Sequence, residues 1–370
     1  MVSKQLTKIK ILLKQNLKAF LIVFLWFTIN FIYFYVETRS ALQSGLIILF
    51  FTTHNSLYGN FYDAFTEFII FGLVFGLITV ELFRKYNPVV TSREISKKYS
   101  DHVIIIGYTH IGQRILNYLK LKDIDCVIIE KDFNLIEDLI AKEEAVVNDT
   151  PLSIQTLEDA SIEKAKAVFI TSDDFEIQLV VNHYIRRLNP KCKVVARIFQ
   201  DDIADLISKT YNIEIISTSK YASDVIDDKI RKHYKKVLLI GLNHISLRLI
   251  EKLKLRSSIE YQVIEENEDL IKDLIEDNRY IICGDPKERG ILEKCNINDV
   301  DCVVNTISNV KESILITKRI RDLNRGCKII SRFFLDSVAE ILEKPPFRAE
   351  VISSSKGTLE VMIQKGMFDF

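Results

Sequence analysis

The six cysteines (Cys126, Cys192, Cys283, Cys295, Cys302 and Cys327) include no CxxC and stand at no Cys/His metal-ligand spacing. A zinc framework and a disulfide scaffold are therefore both unexpected, and scattered buried thiols in a reducing compartment are the reading left. Net charge is absent too: 50 Lys and Arg balance 50 Asp and Glu. No global basic field points to nucleic acid as a partner. A nucleophile–base pair and a carboxylate pair at catalytic spacing are also missing, which argues against an enzyme. Charge itself is missing locally, since residues 17–36 and 65–83 carry very few ionised side chains while the chain beyond Arg84 is dense in them. That shift predicts a membrane part followed by a soluble part.

LKAFLIVFLWFTINFIYFYV (17–36) has the length of a bilayer-spanning helix, which takes about 20 apolar residues. It is longer than the apolar region of a signal peptide, and no small-residue cleavage site follows it. FTEFIIFGLVFGLITVELF (65–83) predicts a second span, with Glu67 and Glu81 near its ends. Lysines precede the first span and Arg84, Lys85 and Arg93 follow the second, whereas the segment between has Arg39 as its only cation. The positive-inside rule then places both termini in the cytoplasm, as in a multi-pass protein of the plasma (inner) membrane. SALQSGLIILFF (40–51) is too short to cross and too apolar for an exposed loop. A re-entrant helix fits it, followed by HNSLYGN (54–60) as a loop at membrane depth; a short interfacial helix is the alternative. Gly72 and Gly76 form a GxxxG that serves close helix packing or a hinge, and Glu81 would lie at an inner mouth.

Residues 101–370 contain one unit twice. HVIIIGYTHIGQRILNYL (102–119) matches KVLLIGLNHISLRLIEKL (236–253), and EIISTSK (214–220) matches EVISSSK (350–356). Gly107 corresponds to Gly241, Glu130 to Glu265, Asp149 to Asp285 and Arg197 to Arg332, an offset held at 134–136 throughout. In each copy short β-branched runs alternate with stretches of helical apolar spacing. That alternation predicts α/β domains with doubly wound parallel sheets of Rossmann type. The boundaries expected are a pore region at 1–84, a linker at 85–101, and domains at 102–234 and 235–370. GYTHIG (107–112) follows the first strand and opens a helix, with Thr109 where a second glycine would stand. Glycine permits the tight turn and the close approach of backbone N–H groups to phosphate, and Glu130 at the end of the next strand is placed for a ribose. The second copy has Asn243 and Ser246 at the later glycine positions, a weaker site.

These residues resemble two-transmembrane potassium channels with cytoplasmic RCK (TrkA-N) domains, here in tandem. The resemblance rests on GYTHIG, Glu130, the N-D-T turn (148–150), LEDASIEKAKAVFITSDD (157–174) and VAR (195–197), and covers both repeats. It implies a homotetramer whose RCK ring gates a pore for potassium or another monovalent cation, in a lipid bilayer. It also implies ligands such as NAD(H), ATP or calcium, with Gly107, Thr109, Gly112, Glu130 and Asp149 lining the first pocket. Asn55, Ser56, Leu57, Tyr58 and Gly59 would occupy the filter. Leu57 stands where the family's T-V-G-Y-G has a glycine, a position needing positive φ, so an unaltered filter is not expected. The alternatives are a membrane-anchored regulatory subunit of potassium transport with a non-conducting pore and, less favoured, an NAD-dependent oxidoreductase on an anchor.

Overall fold

The computed structural model describes residues 3–86, 88–272, 280–333 and 336–370, with the side chains of 3–16, 18–20, 77, 80–86 and 336 outside that description. It divides into two compact units, Met1–Ile95 with Leu139–Glu144, and Ser96–Asp138 with Ala145–Phe370.

The first unit holds α1 (Ser3–Thr38), α2 (Ala41–Ile48), α3 (Leu57–Tyr86) and most of α4 (Pro88–Ser96), which occupies much of the expected linker. Among the described residues one window, Leu21–Thr38, is long and apolar enough to cross a bilayer, with a mean hydropathy of 1.6 and 11% of it buried. At about 1.5 Å per residue, the 30 residues of α3 also exceed a hydrocarbon core of about 30 Å. Phe68, Phe71, Val74 and Phe75 are exposed along α3, as a helix facing lipid or another copy requires. Phe34, Ile47 and Tyr62 close the buried centre where α1, α2 and α3 meet. Polar groups there are matched: Trp26 Nε1 donates to Thr66 Oγ1 at 2.9 Å, and Tyr62 Oη to the Ile48 carbonyl at 2.9 Å. Matching is obligatory in a medium without water.

Both helices overrun their expected bounds. The helix expected at 65–83 begins at Leu57, because Ser56 acts as its cap. Ser56 Oγ accepts the Gly59 N–H at 2.9 Å, and its carbonyl accepts the Asn60 N–H at 3.1 Å. The re-entrant segment expected over 40–60 is accordingly the short α2, capped by Ser40, plus a connection that ends at Ser56.

The second unit contains both repeats apart from Leu139–Glu144. The first runs β1 (His102–Ile106), α5 (His110–Leu121), β2 (Cys126–Ile129), α6 (Phe133–Ala141), β3 (Val146–Val147), α7 (Ile154–Asp159), β4 (Ala165–Ile170), α8 (Phe175–Leu188), β5 (Lys193–Arg197), α9 (Asp201–Tyr211), β6 (Glu214–Ile216) and α10 (Thr218–His233). The second runs β7 (Lys236–Ile240), α11 (His244–Lys254), β8 (Glu260–Glu265), α12 (Glu268–Lys272), β9 (Ile281–Cys283), α13 (Arg289–Lys294), β10 (Cys302–Asn305), α14 (Val310–Leu323), β11 (Lys328–Arg332), α15 (Asp336–Glu343), β12 (Glu350–Ile352) and α16 (Ser354–Gln364). Each repeat builds a six-stranded parallel sheet, ordered β3-β2-β1-β4-β5-β6 and β9-β8-β7-β10-β11-β12. This is the doubly wound order with its switch point beside β1 or β7. The central strands are buried on both faces, which explains their unbroken apolar runs.

The last helix of each repeat is exchanged. Ala222, Ile226 and Ile230 of α10 pack with Val237, Leu249 and Leu253 in the core of the second repeat. The chain end after α16 returns to the first, where Phe368 stacks on Phe169 at 5.1 Å and Lys193 Nζ donates to the Gly366 carbonyl at 3.0 Å. Neither repeat is closed without the other.

Five of the six cysteines are buried and Cys283 is exposed; burial pushes the Cys192 thiol up to about 12 and Cys295 up to about 11. His102, wholly buried at the start of β1, sets a pH limit on the fold. Its Nε2 lies 2.9 Å from the Ala160 carbonyl, while Nδ1 is buried and unpartnered. Nε2 donates to that carbonyl, and burial, outweighing the hydrogen bond, lowers the ring's pKa and favours its neutral form. A lowered histidine pKa means that the unfolded chain takes up the proton first, so stability is lost as pH falls below about 6.5. Calorimetry of the solubilised protein should show melting falling between about pH 7.5 and 5.5, with His102 contributing to the slope. His102→Gln should make that slope shallower, and an unchanged slope would remove His102 as its source.

Candidate nucleotide and pore sites

The first glycine loop is a turn built from close approaches. Gly107 has φ +88°, a conformation that side chains disfavour, and a Cβ there would meet the Ser172 amide at 3.1 Å. Thr109 caps α5: its hydroxyl accepts the Gly112 N–H at 3.4 Å and donates to Thr171 Oγ1 at 3.0 Å. Thr171 Oγ1 in turn donates to the Gly107 carbonyl at 2.6 Å. A Cβ on Gly112 would fall 2.6 Å from that carbonyl, so the third glycine serves packing of helix on turn.

Glu130 sits just past β2, beside this loop. Its Oε2 accepts the Tyr108 N–H at 2.7 Å and its Oε1 the Asp132 N–H at 2.9 Å. The carboxylate therefore ties the loop to the end of β2 and retains acceptor capacity for a hydroxyl. Glu265 does the same in the second repeat, accepting from Leu242 N at 2.6 Å and Asn267 N at 2.8 Å. Asp149 closes its own turn by accepting the Thr150 N–H at 2.8 Å. The structure thus brings Gly107, Thr109, Gly112 and Glu130 together around one turn and places Asp149 in the turn after β3.

A cavity of about 730 Å³ lies where the two loops face each other, lined by residues of both repeats. Of the five sequence-expected nucleotide residues, Thr109 lines it. Its walls come in equivalent pairs: His110 and His244, Arg197 and Arg332, Ser219 and Ser355. Arg197 pairs with Asp173 at 3.3 Å and lies over the Phe199 ring at 4.9 Å, and that ring stacks on His244 at 4.7 Å. Burial and then Arg197 bring the Arg332 guanidinium down to about 10. Burial and the neighbouring arginines also lower His110. Sequence reasoning carried Arg197 and Arg332 as repeat partners without giving them a role; their recurrence at one offset was the available signal.

In the membrane part, Leu57, Tyr58 and Gly59 are helical, where the sequence predicts a loop at membrane depth. None has positive φ, so the strain anticipated at Leu57 does not arise, and Leu57 is 93% exposed. Gly59 is needed for space, because a Cβ there would lie 2.1 Å from the His54 carbonyl. Tyr58 Oη donates to Asn30 Oδ1 at 2.8 Å, fixing α3 to α1. Asn55 and Ser56 remain ahead of the helix, with Ser56 Oγ 3.0 Å from His54 Nδ1. A Cβ on Gly72 or Gly76 would meet nothing within 4 Å, so this face of α3 has no close neighbour in the chain among the described residues. The Glu81 side chain lies outside the described residues.

A model of the TrkA-N domain matches residues 103–218 and again 237–354. Both matches end where the exchanged helices α10 and α16 begin. Potassium channel protein 1 of Methanocaldococcus jannaschii is 32% identical over 131 residues, 34% of this chain and 39% of that protein. The chain thus matches well under half the length of that relative. The crystal structure of GsuK bound to ADP is similar with a TM-score of 0.70 at 14% identity, covering 97% of this chain and 98% of that one. The GsuK channel bound to NAD gives 0.68 at 12% identity, covering 97% and 84%. At such identities the likeness is one of fold, and it extends over the membrane helices as well as the repeats.

Proposed function

The chain belongs to the TrkA-N domain family, with two copies of the domain in tandem, and on that premise we propose that it couples a nucleotide to potassium movement across a membrane. The observation that carries this reading is the order of parts along one chain. Membrane-length helices enclose a short half-length helix and lead through α4 into paired parallel-sheet domains. In this reading the chain is a homotetramer of the plasma (inner) membrane with cytoplasmic termini, and its repeats form a ring of eight domains. NAD(H) or an adenine nucleotide occupies the first repeat around Gly107, Thr109, Gly112, Glu130 and Asp149. The ligand shifts the ring by binding one arrangement better than the other, since equal affinity for both would move nothing. The ring acts on α3, whose open face at Gly72 and Gly76 meets a neighbouring copy or bends, with Glu81 at the inner mouth. Calcium has weaker support: among the described residues no cluster of three His, Cys, Asp or Glu side chains could hold a metal ion.

One observation favours the second reading, a regulator with a non-conducting pore. A potassium filter of the usual kind stacks backbone carbonyls of an extended segment. Here Leu57 to Asn60 form the first turn of α3. Any filter is then limited to the residues up to Ser56, with Asn55 and Ser56 offering side-chain oxygens. Reconstitution into liposomes, with potassium and sodium efflux followed with and without ADP or NADH, separates the readings. Potassium efflux that responds to nucleotide is the expected result for the channel. Nucleotide binding with no efflux under any condition selects the non-conducting regulator.

A further inference from the structure

We propose that the two repeats hold one diphosphate-bearing ligand between them, its pyrophosphate bridging Arg197 of the first repeat and Arg332 of the second. This rests on the nucleotide reading above and changes its geometry, from a ligand held by one glycine loop to a ligand shared by two.

Four observations lead there. The cavity of about 730 Å³ is lined from both repeats by residues at equivalent positions, so its chemistry is nearly two-fold symmetric. A pyrophosphate has the same symmetry. Two guanidiniums, Arg197 and Arg332, stand in the lining, and guanidiniums are the side chains best fitted to a phosphate. Arg197 has a side chain 12% exposed, and its Nε is buried with no hydrogen-bond partner. Guanidinium forks recognise phosphate by paired donors, and a free Nε–H is one half of such a pair. Finally, the N-termini of α5 and α11 both border the cavity, through His110–Ile111 and His244–Ile245. Each adds N–H donors and a positive dipole end to what the arginines supply.

Arg332 also stands near enough to Arg197 to feel it: burial, and then that second guanidinium, hold its pKa below the usual range.

The test is calorimetric titration of the solubilised full chain with ADP and with inorganic pyrophosphate. One ADP per chain is expected, with pyrophosphate competing for it. Arg197→Gln and Arg332→Gln should each weaken ADP by about 10-fold or more, the scale of one charge-assisted contact. Arg332→Lys should fall between. Without ligand, Arg332→Lys, which keeps the charge, should melt as the wild type does, so that its loss of affinity reads the contact with the ligand. Two ADP per chain, or ADP affinity unchanged in Arg332→Gln, would overturn the shared site while leaving a first-repeat nucleotide site standing. Loss of unliganded stability in step with loss of binding would make Arg332 a structural residue and overturn it as well. A wild type that binds neither probe would overturn both this inference and the nucleotide reading beneath it.

Discussion

Gly112→Ser should lower the melting temperature by about 5–10 °C and weaken nucleotide binding, and Thr109→Asn added to it should restore much of both. The first effect follows from space. A Cβ on Gly112 would lie 2.6 Å from the Gly107 carbonyl and 2.9 Å from Thr171 Oγ1, and neither is the free end of a flexible chain. Forcing atoms into such a contact costs about 2–3 kcal/mol, or roughly 2–4 °C per kcal/mol in a unit of this size. The rescue follows from the second repeat, which carries Ser246 at the equivalent position, wholly buried. There the turn is looser, with Thr306 Oγ1 3.2 Å from the Gly241 carbonyl where Thr171 stands at 2.6 Å. The room is held by Asn243, whose Nδ2 donates to Thr306 Oγ1 at 2.9 Å and whose N–H donates to Ser246 Oγ at 2.8 Å. Asparagine and serine therefore work as a pair, as threonine and glycine do in the first repeat. Calorimetry of both variants with and without ADP checks this; a double variant as unstable as Gly112→Ser alone would contradict the pairing.

The same comparison shows how far the sequence could be read. The repeat, the parallel sheets and the glycine turn were legible because each leaves a local mark: apolar runs for buried strands, a fixed offset, and a strand–glycine–helix passage. The exchange of α10 and α16 was not, since TSKYASDVIDDKIRKH has the same amphipathic spacing whichever sheet it covers. The cavity was not legible either, because Arg197 and Arg332 meet only through the pairing of repeats. In the membrane part, the letters HNSLYGN predict a loop with an altered filter, whereas the residues from Leu57 on are helical. The motif's glycine is present at Gly59, yet it answers to the His54 carbonyl and not to a positive φ. A serine cap, which helix-start rules weigh heavily, carried more information there than the resemblance.

Gly357→Ala should be the most damaging single methyl in the second unit, and Tyr221→Ala should soften its effect. Tyr221 of α10 and Gly357 of α16 are equivalent positions in EIISTSKY and EVISSSKG. The exchanged helices bring them together, and a Cβ on Gly357 would lie 2.0 Å from Tyr221 Cζ and Oη. The ring fills a hole that only glycine leaves, so Gly357→Ala should cost about 3 kcal/mol or more, and Tyr221→Ala a similar amount through the cavity it opens. Together they should cost less than their sum, with a coupling of about 2 kcal/mol, because the added methyl enters space the ring has vacated. Additive costs would show that the two residues do not meet. The asymmetry also explains why two unlike repeats occupy one chain: tyrosine against tyrosine would collide, and glycine against glycine would leave a void. The pairing of first with second repeat is thereby favoured over either with itself. Since each repeat is completed by a helix or tail of the other, wild type and Gly357→Ala alike should unfold the second unit in one transition, and separate meltings of the two repeats would refute their interlocking.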